Sequence, residues 1–163
     1  MQGKCLDQLI HAKLVENYEK YYRLAYSYTH NKTDAMDIVQ EGAYKAIYKS
    51  NSVKNEAYIE SWIYRIMINE SLQFLRKQKK ETLIDIEEET NTADSCKNID
   101  SDGSIDLKRA LSQLAEEERA IILLKYFEEL PIHKIAEILE LNENTVKSRL
   151  YRAIRKMKVS LEE

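Results

Sequence analysis

Proline occurs once and glycine three times in 163 residues. That leaves too little turn chemistry for a β-sandwich or barrel, which need a tight turn every few residues, so the chain reads as all-α. No apolar run approaches the ~20 residues that cross a bilayer as a helix. The first residues, Met1-Gln2-Gly3-Lys4-Cys5-Leu6-Asp7, are not followed by the apolar stretch of an export signal. The two cysteines, Cys5 and Cys96, are far apart and form no CxxC pair. They read as free thiols in a reducing cytoplasm. Walker, GxSxG and HExxH motifs are missing, and His11, His30 and His133 are scattered. The chain therefore reads as neither an enzyme nor a metal or cofactor carrier. Charged residues at 33% beside apolar residues at 44% argue against a disordered chain.

The formal net charge of −3 hides strong segregation. Residues 1–80 hold 13 basic and 9 acidic residues, a balance of +4. Residues 81–105 hold Lys97 against eight acids, a balance of −7. Residues 143–158 carry six basic residues and one acid, a local +5. The 81–105 segment is rich in Asp, Glu, Ser and Asn, and its few apolar residues have no period. It buries too little to offset ordering, so it reads as a flexible acidic linker. The expected organisation is two small helical domains, 1–80 and 106–163, joined by that linker and free to sit at separate places on a larger object.

The N-terminal domain reads as three helices. The first, over 6–29, carries Leu14, Tyr18, Tyr21, Tyr22 and Ala25 at helical spacing. The second starts at an N-cap Thr33 and buries Ile38, Val39, Ala43, Ala46 and Ile47. A polar loop over 50–55 leads to the third, over 56–79, with an inward stripe Ile59, Trp62, Ile63 and Ile66. The C-terminal domain reads as four helices over 106–113, 116–127, 131–139 and 143–160. Pro131 suits a first helical turn, and Asn142 suits an N-cap.

The strongest local signal spans 132–155. A helix with Ile135, Ala136 and Leu139 inward meets a three-residue turn plugged by Leu141. The next helix buries Val146, Leu150 and Met157. This is the arithmetic of a helix-turn-helix. Opposite the buried stripe run Asn144, Ser148, Arg152 and Arg155, flanked by Thr145, Lys147, Arg149 and Lys156. Such a row offers donors to base edges and phosphates in a major groove. The 56–79 helix repeats the theme with Tyr58, Ser61, Arg65, Asn69 and Arg76 on one face, ending in a basic tail. An aromatic ring with spaced Arg and Asn fits partly unstacked nucleic acid, although a solvated face has the same periodicity. The stretch 34–41 is acidic and amphipathic; periodicity does not decide between an ordinary helix and a docking face.

Two blocks together resemble a known family. Asp37-Ile38-Val39-Gln40-Glu41, then Trp62-Ile63-Tyr64-Arg65-Ile66, Asn69 and Leu75-Arg76-Lys77 resemble the second conserved region of bacterial RNA polymerase sigma factors. Leu114, Glu118-Arg119, Ile135-Ala136-Glu137-Ile138-Leu139 and Thr145-Val146-Lys147-Ser148-Arg149-Leu150-Tyr151-Arg152-Ala153 resemble their fourth region, as found in the short extracytoplasmic-function subfamily. The resemblance implies binding to core RNA polymerase and promoter-directed initiation. It implies that Asp34, Asp37, Ile38, Gln40 and Glu41 meet the clamp helices of the largest subunit, with a second contact at the flap. It implies that Asn51, Asn55, Tyr58, Ser61, Trp62, Arg65, Asn69, Arg76 and Lys77 engage and open the −10 element, the 50–55 loop holding a flipped base. Asn144, Thr145, Lys147, Ser148, Arg149, Arg152 and Arg155 would read the −35 element. The implied protein is a cytoplasmic monomer without cofactors, restrained by an anti-sigma partner that can hold it at the membrane. The rivals are a dimeric helix-turn-helix regulator with a helical sensor domain, and an adaptor that binds only protein.

Overall fold

The structure, a computed structural model, describes residues 2–85 and 102–162. Among these the chain forms eight α-helices and no strand. They are α1 (Gln2–Glu16), α2 (Tyr18–Thr29), α3 (Lys32–Tyr48), α4 (Ile59–Asp85), α5 (Asp102–Ser112), α6 (Glu116–Ile122), α7 (Ile132–Leu139) and α8 (Glu143–Glu162). No helix of the described residues is long and apolar enough to cross a membrane.

In the N-terminal domain α2, α3 and α4 pack mutually, and α1 lies against α3 and the turn Ser50–Ser52. The single helix expected over 6–29 is two. At Asn17 the backbone leaves helical geometry (φ −107°, ψ 17°), which lets α1 bend away from α2. There the Ser50 hydroxyl donates to Asp7. The N-cap of α3 is Asn31, not Thr33: its side-chain oxygen accepts the Asp34 N–H at 3.0 Å. The core stripe of α4 is also rotated from expectation. Ile59 and Ile63 are buried, but Trp62 and Ile66 are only half-buried, while Tyr64, Met67 and Ile68 fill the interior. On α3, Ile47 faces outward at 41% exposure, and on α2 so does Tyr18 at 42%. Gly42 occupies an interior position of α3, where glycine costs up to about 1 kcal/mol. The reason is contact: a Cβ there would meet the Met67 sulfur at 2.5 Å.

The C-terminal domain follows the expected four helices. Helix α8 packs across α5, α6 and α7. Val146, Leu150 and Ala153 are its buried stripe, with Met157 half-buried. Pro131 stands just before α7 rather than inside it. Glu140 ends α7 in the left-handed region (φ 58°), and Asn142 caps α8 by accepting the Thr145 N–H at 3.2 Å. Helix α4 continues through residues 81–85 and α5 begins at Asp102, so both ends of the 81–105 segment are helical. The rest of the linker reading lies outside the described residues.

The two domains pack on each other. Residues 120–124, Ala-Ile-Ile-Leu-Leu, are all at most 3% exposed. A helix apolar all round must be enclosed on every side. Here α8 covers one side, and the π turn Leu123–Phe127 that extends α6 meets α2 and α7.

His30 ends α2 in the left-handed region (φ 55°), its N–H donating to the Tyr26 carbonyl at 2.7 Å. Its Nε2 is enclosed without a partner. Burial, helped by nearby Lys108 and Arg119, pushes the imidazole down to about 4. The unfolded side chain titrates near ~6.5, so below that pH the unfolded state takes up the proton first. Stability from this residue is complete above ~6.5 and is lost as the pH falls toward about 4. Asparagine tolerates the left-handed region and does not titrate. His30→Asn should therefore lose less stability than wild type between pH 7.5 and pH 5 in urea unfolding; equal losses would contradict this role of the imidazole.

Candidate nucleic-acid interface

Helix α8 presents a continuous polar face because its apolar residues fall on the opposite side. Asn144, Lys147, Ser148, Arg152 and Arg155 are exposed together. Tyr151, 63% exposed, stands among them. Sequence reasoning omitted it, although positions 144, 148, 151 and 155 carry the 4-3-4 spacing of one face. Two residues expected on this face are turned aside. Thr145 is half-buried. Arg149 is half-buried and ion-paired with Glu117 of α6. Lys156 is held by Glu118 at 2.9 Å, whose same oxygen accepts the Ala115 N–H at 3.1 Å.

The second surface surrounds the start of α4. Asn55 is extended, and its side chain accepts the Ala57 N–H, fixing the turn Glu56–Tyr58. Val53 is buried and Ser50 is anchored to Asp7, so the 50–55 loop is tied at both ends of its first turn. Asn51, Tyr58, Asn69, Arg76 and Lys77 are exposed. Between the loop and α4 lies a cavity of about 370 Å³. Asn55, Tyr58, Trp62 and Arg65 line one side, and Glu137 and Glu140 line the other. The size suits one small planar group, and the lining offers ring faces and donors.

Three of the expected −10 residues are occupied. Ser61 is 2% exposed and its hydroxyl donates to Glu137. Arg65 donates to the carbonyls of Ile138 at 2.7 Å and Glu137 at 3.0 Å, at the C-terminus of α7, and pairs with Glu140 at 3.3 Å. A guanidinium there meets the negative end of the helix dipole. Arg76 grips Glu116 with two donors, one at 3.0 Å. The Ser61 hydroxyl holds the Glu137 carboxyl below its usual range, and Arg76 does the same for Glu116.

The third surface is the outer face of α3. Asp37, Gln40 and Glu41 are exposed, and Asp34 is half-buried. Burial, with Asp37 nearby, raises the Asp34 carboxyl. Ile38, the remaining residue expected on this face, is 3% exposed and packs in the core. Two aromatic residues that the sequence reading left out share this outer face. Tyr44 and Tyr48 continue the face of Asp37 and Glu41 at helical spacing, stacked with centroids 6.1 Å apart, and are 65% and 75% exposed. An exposed aromatic pair beside acids is a common anchor pattern.

The sequence profile of sigma-70 region 2 matches residues 14–81, and that of sigma-70 region 4 matches residues 104–157. The chain is 42% identical to the RNA polymerase sigma factor SigV of Bacillus subtilis over 148 residues, covering 91% of this chain and 88% of the relative. It is 32% identical to the ECF RNA polymerase sigma factor SigW of the same organism over 165 residues, covering 93% and 88%. Two solved structures share the fold. The sigma factor RpoE in complex with the anti-sigma factor NepR from Bartonella quintana superposes with a TM-score of 0.68 at 22% identity, over 93% of this chain and 96% of that one. CnrH in complex with the cytosolic domain of CnrY superposes with a TM-score of 0.70 at 18% identity, over 94% and 87%.

Proposed function

The chain belongs to the extracytoplasmic-function RNA polymerase sigma factors, and from that premise we propose how its surfaces divide the work of initiation. Core RNA polymerase docks on the α3 face, with Asp37, Gln40, Glu41, Tyr44 and Tyr48. The 50–55 loop and the face of α4 bind the −10 element. Arg65, Arg76 and Lys77 grip phosphates, and the cavity beside Tyr58 and Trp62 receives an extruded base. Helix α8 enters the major groove of the −35 element, its Asn144, Lys147 and Ser148 toward bases and its Arg152 and Arg155 toward phosphates. The observation that carries this reading is the pairing, in one chain, of an exposed groove-reading face with a ring-lined cavity flanked by arginine. Unstacking costs a few kcal/mol per base step, and a cavity that receives the base offsets it. The protein works in the cytoplasm. Its restraint is an anti-sigma partner, the kind of protein with which RpoE was crystallised.

Two modest DNA surfaces gain avidity when a larger body fixes their spacing. The free chain, at net −3, lacks that help. In a gel shift on a cognate promoter the chain should bind weakly alone and tightly with core polymerase. Equal binding in both lanes would contradict the proposal.

A further inference from the structure

We infer that Asp7, on the first helix, is a positioning residue for the −10 element: it holds the turn that leads into the base-sized cavity, and through that turn it sets which base the cavity accepts. This rests on the assignment of the 50–55 loop and α4 to that element. The register of α1 singles the residue out. Ile10 and Leu14, by which α1 enters the core, stand three and seven positions after Asp7, on one helix face. An apolar side chain would extend that stripe, yet a carboxylate occupies the place. There α1 meets the turn Ser50–Ser52, and Asp7 Oδ1 accepts the Ser50 hydroxyl. A hydroxyl bonded to a carboxylate is held more strongly than one bonded to a neutral acceptor.

The contact passes from α1 to the cavity through the backbone. Ser50 is 4% exposed, so its hydroxyl has little access to water, and a buried donor without an acceptor is costly. The Ser50 carbonyl accepts the Val53 N–H at 3.2 Å, and the Lys49 carbonyl accepts the Ser52 N–H at 2.9 Å. These two bonds make a single 3-10 turn, whose hydrogen-bond geometry is poor by itself. Val53 leaves the turn extended (φ −77°, ψ 120°) and is buried. Ser52, Val53, Lys54 and Asn55 then line the cavity together with Tyr58 and Trp62. Asp7 does not line it, so its influence runs through Ser50. A binding constellation discriminates only when its groups are held to within ~0.5 Å, and a turn released at its first residue loses that precision.

The test uses the full chain with core RNA polymerase on a promoter that the wild type opens, its −10 element randomised. Heparin-resistant complexes are collected and their templates sequenced, which gives a base preference at each −10 position. Asp7→Leu removes the acceptor and extends the apolar stripe of α1, so the helix stays docked. At one −10 position its preference for the best base should fall at least about fivefold, the lower end of what one base contact confers. Ser50→Ala, which leaves α1 untouched, should lose preference at the same position, and the double variant should lose no more than either single one. Asp7→Asn keeps an acceptor oxygen and should retain the wild-type preference. A merely structural tie would not select one position. Unchanged preference in both Asp7→Leu and Ser50→Ala overturns the inference, as does a loss spread evenly over all −10 positions or a loss in Asp7→Asn as large as in Asp7→Leu. If Asn55→Ala and Tyr58→Ala, on the cavity itself, leave every −10 preference intact, the assignment of the loop and α4 is overturned instead.

Discussion

Reversing charge at Asp37 and Glu41 should release the chain from core RNA polymerase, lowering affinity at least ~100-fold. Both acids are exposed on α3, so lysine at either place disturbs no core contact and keeps good helix propensity. The loss therefore falls on the partner interface. Breaking a close interfacial charge pair costs about 2–5 kcal/mol, and two reversals add repulsion. At about 1.4 kcal/mol per tenfold, the sum exceeds a hundredfold. Titration of labelled D37K/E41K with core polymerase measures it, with the thermal midpoint as the folding control. Ile38→Ala should behave differently. Its side chain is core, so truncation costs about 2–5 kcal/mol of fold stability. Near-wild-type polymerase affinity in D37K/E41K would remove α3 from the interface.

The second large effect concerns α8. K147A/R152A should reduce promoter-directed transcription by at least ~30-fold. A good base contact is worth about 1–3 kcal/mol, and a phosphate contact adds a term that weakens with salt. Both residues are exposed opposite the buried Val146, Leu150 and Ala153, so the domain should stay folded. Arg149→Ala should cost much less, because Arg149 is half-buried against Glu117 and is not free on that face. Run-off transcription with core polymerase measures both. Unchanged transcription by K147A/R152A would favour a protein-only adaptor.

Where function follows from contacts between neighbours in the chain, the sequence was a sufficient guide. The α7–α8 corner is set by Leu141, by Asn142 capping the next helix, and by apolar spacing on either side. All three are local, and all are visible as residues. The acidic start of α3 was equally plain, although its cap fell to Asn31 because an asparagine oxygen two residues earlier already reaches the Asp34 N–H. The bend at Asn17 was not legible, because the apolar period runs through it without interruption. Nor was the rotation of the α4 stripe. Tyr64 is buried because Glu128, 64 residues away, accepts its hydroxyl. Ser61 is buried because Glu137, 76 residues away, lies over it. Periodicity reports that a helix has a wet side and a dry side. It does not report that a second domain will dry part of the wet one. The all-apolar run at 120–124 did carry that message, since one covering helix cannot bury every side of it.

The most direct measurement is run-off transcription from a fragmented genomic library, with purified core RNA polymerase alone and with this chain added. The expected result is a small set of discrete transcripts that require the chain, with start sites preceded by a shared pair of promoter elements. Identical transcripts with and without it, together with failure of the chain to co-purify with core polymerase, would contradict the assignment of its two domains to promoter recognition.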